Sequence, residues 1–83
     1  MDIQTQVLKI LDEVLSLGGR SNQFGAGTAL LGAVPELDSM AVVSLITALE
    51  DNFGIAIDDD EISGETFETV GQLTAFVAKK LAS

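Results

Sequence analysis

Asp38 and Ser39 stand together in the stretch Leu37-Asp38-Ser39-Met40-Ala41-Val42-Val43, an acid and a hydroxyl at the mouth of an apolar run. A serine that acts as a nucleophile needs a base to take its proton and a third group to orient that base. The chain has no histidine, Lys9, Lys79 and Lys80 lie in its terminal segments, and Ser39 is not set in a G-x-S-x-G elbow. The residues do not supply intrinsic serine catalysis, and the chain is expected not to be an enzyme. Two uses remain for the pair. Asp38 or Ser39 caps the helix that follows, as such residues commonly do. Alternatively, the hydroxyl receives a group from outside, and a phosphodiester on Ser39 would sit at a helix amino end, where free amides and roughly half a positive charge favour an anion.

Other chemistry fails on spacing. The run Asp58-Asp59-Asp60-Glu61 suggests a calcium loop, but that loop needs an oxygen ligand at its fifth position and glycine at its sixth; counted from Asp58 these are Ile62 and Ser63. A solvated acidic turn is expected there. The glycines of "GGRSNQFGAGTALLG" have no strand before them and no Lys-Ser/Thr pair after them, so they form a loop and not a phosphate cradle. With no cysteine, the chain has neither a disulfide framework nor a thiolate metal site, which fits a reducing compartment.

The elements that must present Asp38 and Ser39 follow from apolar periodicity. Ile3, Val7, Ile10, Val14 and Leu17, widened by Leu11, mark a helix over residues 3–17 that Gly18-Gly19 stops. A long connection runs from Gly18 to Asp38, and its Phe24, Leu30, Leu31, Val34 and Leu37 predict a loop that packs against the core. Val42, Leu45, Ile46, Leu49 and Phe53 mark a second helix over residues 39–53, closed by Gly54. A short helical segment is expected at Glu65–Glu68. Thr69 and Gln72 have the spacing of a capping box, ahead of a last stripe formed by Val70, Leu73, Val77 and Leu81. The expected fold is all-α: three longer helices plus one short one around an aliphatic core, with 83 residues forming a single domain.

Four Lys+Arg stand against thirteen Asp+Glu, a net charge of -9, and the imbalance is concentrated. Residues 36–68 contain ten acids, from Glu36 to Glu68, and no Lys or Arg. Such a field repels phosphate backbones, which argues against nucleic acid, and speeds encounters with proteins that carry basic patches. The amino terminus lacks a basic, apolar leader and no stretch is long enough to span a bilayer, so a soluble, cytoplasmic protein is expected. On a helical wheel Met40 and Val43 fall away from the core stripe, near Thr47 and Asp51. Apolar side chains rimmed by acids on one helix face read as a protein docking patch.

The run "ELDSMAVVSLITALEDNFGI", residues 36–55, resembles the Asp-Ser-Leu signature and second helix of the acyl carrier proteins. The long first loop, the acidic turn "IDDDEI" and the entry "ETVGQL" at residues 68–73 agree in order and spacing, so the resemblance covers nearly the whole chain. It implies a four-helix acyl-carrier bundle in which Ser39 carries phosphopantetheine, transferred from coenzyme A by a separate magnesium-dependent phosphopantetheinyl transferase, and Asp38 is the signature acid. Acyl groups would ride as thioesters on that arm, and in this family they withdraw between the helices. Met40, Val43 and Thr47, with Glu50 and Asp51 as acidic contacts, fall where the family's second helix meets acyl-transferring, ligating or condensing enzymes with basic docking patches. Three positions depart from the pattern: Met40 replaces the usual leucine, and Ala41 and Ser44 stand where members serving fatty acid synthesis usually place acids. A specialised lipid, polyketide or surface-polymer pathway is the expectation. With Met1 at the start and Ser83 close after the last helix, so is a discrete, monomeric carrier. An aminoacyl or peptidyl carrier, or an unmodified acidic helical adaptor, is the alternative.

Overall fold

Ile3–Leu15 forms α1, Ser39–Phe53 forms α2 and Val70–Ala82 forms α3, with 3-10 turns at Arg20–Gln23 and Asp59–Glu61. The structure, a computed structural model, describes residues 2–35 and 37–82. Met1, Glu36, Ser83 and the side chain of Asp59 lie outside the described residues, and with them the expectations that touched the chain ends and two of the ten clustered acids. Among the described residues there are no strands, only an isolated antiparallel bridge between Ala29 and Thr69.

The periodicity of α1 buries Val7, Ile10, Leu11 and Leu15. The helix ends two residues short of the expected Leu17, and its close comes from an acid and not from the glycines. Asp12 Oδ2 accepts from the Gly19 amide at 2.9 Å, from Ser21 Oγ at 2.9 Å and from the Ser21 amide at 3.4 Å, which draws the chain back across the helix end. Ser16 takes up the reversal in a left-handed conformation, φ 54°. Leu17 is swung back over the core and stays buried although it is no longer helical.

Both α2 and α3 pack against α1. Leu45 and Leu49 of α2 and Val70, Leu73 and Val77 of α3 meet Val7 and Leu11 in the core, while Val42, Ile46 and Phe53 are half-buried at its edge. Gly54 closes α2 in the left-handed conformation, its amide bonded to the Glu50 carbonyl at 2.9 Å. Leu81 departs from the expected stripe: at 42% exposure it lies on the last turn of α3, beyond the reach of the core.

The long loop packs as its composition predicts, with Leu30, Val34 and Leu37 buried and Phe24 half-buried, although Leu31 is 48% exposed. Its course is fixed by backbone pairing with the entry to α3. Leu30 and Leu31 amides donate to the Glu68 and Phe67 carbonyls at 2.9 and 3.0 Å, and Val70 donates to the Thr28 carbonyl at 3.0 Å. This pairing also explains why no helix forms at Glu65–Glu68. The chain there makes isolated turns, closed by Thr66 to Ser63 and Glu68 to Glu65 bonds, and then must extend to meet the loop. The short fourth element is the 3-10 turn at Asp59–Glu61. Of the expected capping box, the half from Thr69 Oγ1 to the Gln72 amide forms at 3.1 Å. No return bond from the Gln72 side chain is made among the described residues.

Candidate functional site

The amino end of α2 is held from behind by Leu37, which is buried, and shaped by Asp38. Asp38 is extended, with φ -111° and ψ -174°, and its Oδ1 accepts the Ala41 amide at 2.8 Å while its carbonyl accepts Val42 at 2.9 Å. The acid is therefore the cap, which settles the first of the two uses open for the Asp-Ser pair. Ser39 is the first helical residue, exposed, and its hydroxyl makes no hydrogen bond among the described residues. The Ser39 and Met40 amides likewise have no acceptor among the described residues, as expected for the first turn of a helix. A phosphodiester on Ser39 fits this surrounding: open space for a bulky group, unpaired amides, and the positive end of a fifteen-residue helix.

Beyond the cap, one face of α2 is left uncovered. Met40 is 78% exposed and Val43 62%, and Ser44, Thr47 and Asp51 are exposed alongside them. The Thr47 hydroxyl donates to the Val43 carbonyl at 3.2 Å. Between Asp38 and Glu50 the helix carries no charged side chain. Two large apolar groups thus lie exposed beside the Ser39 hydroxyl, with acids only at the two ends of the stretch.

The residues singled out from the sequence come together on this face, with one difference. Glu50 is half-buried, and its Oε2 accepts the Ile57 amide at 2.8 Å, so it fastens the chain after α2 and has one oxygen, Oε1, left for other contacts. Asp51 is the acid fully presented. No short-range rule could have assigned Glu50 this task, because its partner lies seven residues away past a helix end.

Glu61 belongs to the acidic turn but is also committed. It accepts Lys80 Nζ at 2.7 and 2.9 Å and the Asp58 amide at 2.9 Å, and that amide first, then Lys80, holds its carboxyl below the ordinary range. Among the described residues no three acids converge to hold a metal ion. A surface hollow of about 670 Å³, lined by Thr5, Lys9 and Asp12 among others, shares no residue with the amino end of α2. No helix among the described residues is long and apolar enough to cross a membrane.

Comparison with known proteins agrees with this geometry. A family described as phosphopantetheine attachment site matches residues 36–77, which include the whole of α2. Among solved structures, the solution structure of a holo acyl carrier protein from Nitrosomonas europaea is 53% identical, with all of both chains covered and a TM-score of 0.93. No curated protein matches.

Proposed function

Because the chain belongs to the acyl carrier protein family, whose members carry acyl groups on phosphopantetheine and are not catalysts themselves, we propose that Ser39 is the residue to which the arm is attached. The observation that carries this is the exposed hydroxyl one residue inside α2, with the cap acid turned onto Ala41 and the amides of Ser39 and Met40 left for a phosphate. When bound, the arm supplies the terminal thiol that this cysteine-free chain lacks. Ser39 Oγ bonds to the pantetheine-side phosphorus of coenzyme A as the phosphoanhydride bond breaks and the adenosine bisphosphate half leaves, and the serine proton goes to a base brought by the transferase, since no histidine of this chain can receive it. Asp38 holds the first turn in register during that transfer, and Met40, Val43, Thr47 and Asp51, with the free oxygen of Glu50, form the surface on which the transferase and later acyl-handling enzymes settle.

The test is direct. The full chain is incubated with coenzyme A, magnesium and a broad-specificity phosphopantetheinyl transferase, and its mass is measured. A gain of one phosphopantetheinyl group that Ser39→Ala abolishes, with helical content retained, is the expected result. An unchanged mass beside a labelled control carrier removes the assignment and leaves the acidic adaptor.

Service in a specialised lipid, polyketide or surface-polymer pathway, by a monomer of the cytoplasm, is the finer reading. It is favoured by the uncharged stretch of α2, where Ala41 and Ser44 offer nothing to an arginine or lysine of a partner. Introducing acids with Ala41→Glu and Ser44→Asp should raise acyl transfer by a fatty-acid-synthesis malonyl transferase about tenfold, since close charge pairs across an interface contribute at that scale. An unaltered rate would leave the pathway reading without support. A carrier of aminoacyl groups would instead be loaded by an ATP-dependent amino acid ligase.

A further inference from the structure

Met40 is the most exposed large apolar side chain described, at 78%, and it follows Ser39 directly. A thioether in that position is open to solvent oxidants, whereas one inside a core is shielded by its neighbours. The front of α2 also has no charged group to share the docking contact: from Ser39 to Leu49 its exposed side chains are those of Ser39, Met40, Val43, Ser44 and Thr47. Met40 is the longest of these and offers the largest apolar area. A polar group placed on its sulfur would have to be desolvated whenever a partner closes over Ser39.

We propose that Met40 is an oxidation site whose sulfoxide switches off docking at Ser39, so that peroxide controls access to the arm. Hydrogen peroxide transfers one oxygen atom to a lone pair of the Met40 sulfur; the sulfur–oxygen bond forms, the peroxide oxygen–oxygen bond breaks, and water leaves. The thioether is oxidised by two electrons and the peroxide is reduced by two. Both epimers of the sulfoxide are reducible by the two methionine sulfoxide reductases, so the switch resets. Because Met40 faces solvent, its oxidation leaves the core untouched. The inference rests on the assignment of Ser39 and its docking face made above.

The experiment compares each protein with itself before and after peroxide. The full chain is treated until peptide mass mapping shows Met40 sulfoxide, and kcat/KM for transfer of phosphopantetheine from coenzyme A is measured with and without treatment, with far-UV circular dichroism alongside. The expected result is a fall of about tenfold with unchanged helicity, restored by the two reductases together. Met40→Leu, which retains Met1 as its only oxidisable methionine, should show no change on treatment. Met40→Gln, a polar side chain of similar length, should be slow before any treatment. Equal rates before and after oxidation, or an equal fall in Met40→Leu, overturn the switch while leaving Ser39 as the attachment residue. An untreated chain that takes no arm at all removes that assignment, and the switch with it.

Discussion

Asp38 Oδ1 accepts the amide of Ala41 at 2.8 Å, spanning Ser39 and leaving its hydroxyl outside the bond. The acid thus acts on the serine through the helix and not by touching it. Asp38→Ala should lower stability by about 1 kcal/mol, the usual loss for a removed cap, and the melting temperature by roughly 4 to 8 °C for a domain of this size. Asp38→Asn, which caps equally well, should keep the melting temperature. If the asparagine variant melts as low as the alanine variant, the cap is not what the carboxylate contributes.

Gly71 sits in the first turn of α3 where the loop presses closest. Its amide donates to the Ala26 carbonyl at 2.7 Å, and a Cβ at this position would come within 2.9 Å of the same oxygen. Glycine to alanine in a helix normally gains up to about 1 kcal/mol. Here the backbone oxygen must move and its bond weaken, at a cost of about 1 to 3 kcal/mol. Gly71→Ala should therefore destabilise in urea unfolding, with faster exchange of the residue 71 amide; a higher midpoint would show that the loop yields freely.

Glu61 joins the acidic turn to α3 through Lys80, and its carboxyl is held below the ordinary value of 4.5, first by the Asp58 amide and then by Lys80. A carboxyl lowered in the folded state contributes stability above its unfolded pKa and loses it as pH falls through the folded one. Glu61→Gln should therefore melt below the parent at pH 7, with the gap closing as the pH is taken beneath 4.5. Because the pair is partly exposed, added salt should narrow the gap as well. Parallel melting curves across the pH range would separate Glu61 from the acid transition.

Thr74 of α3 has a buried hydroxyl with no hydrogen-bond partner among the described residues. Valine has nearly the same shape without the polar atom. Thr74→Val should stabilise by about 1 kcal/mol, read as a raised urea midpoint, because an unpaired hydroxyl no longer has to be kept from water. A lowered midpoint would reveal a partner for the oxygen in solution.

The parts of this molecule legible in its sequence are those set by neighbours a few positions apart. The stripe of α2, its closure at Gly54 and the capping chemistry at Asp38 all arise within one or two turns, and each stands where periodicity places it. The end of α1 was not legible, because it depends on Asp12 reaching Gly19 and Ser21 across a reversal. The residues of Glu65–Glu68 permit a helix, which is what the sequence alone predicts there; pairing with Leu30 and Leu31 overrides that local preference. Phe67 buries for the same reason. On the site face, the exposure of Met40 and Val43 followed from the wheel, whereas the inward commitment of Glu50 required knowing where Ile57 returns.

The seam that joins Leu30 and Leu31 to Phe67 and Glu68 links positions about forty residues apart, and such closures are entropically demanding. It ties the approach to Asp38 to the entry of α3, so that a change at Phe67 or Glu68 reaches the start of α2 through the backbone without touching α2 itself.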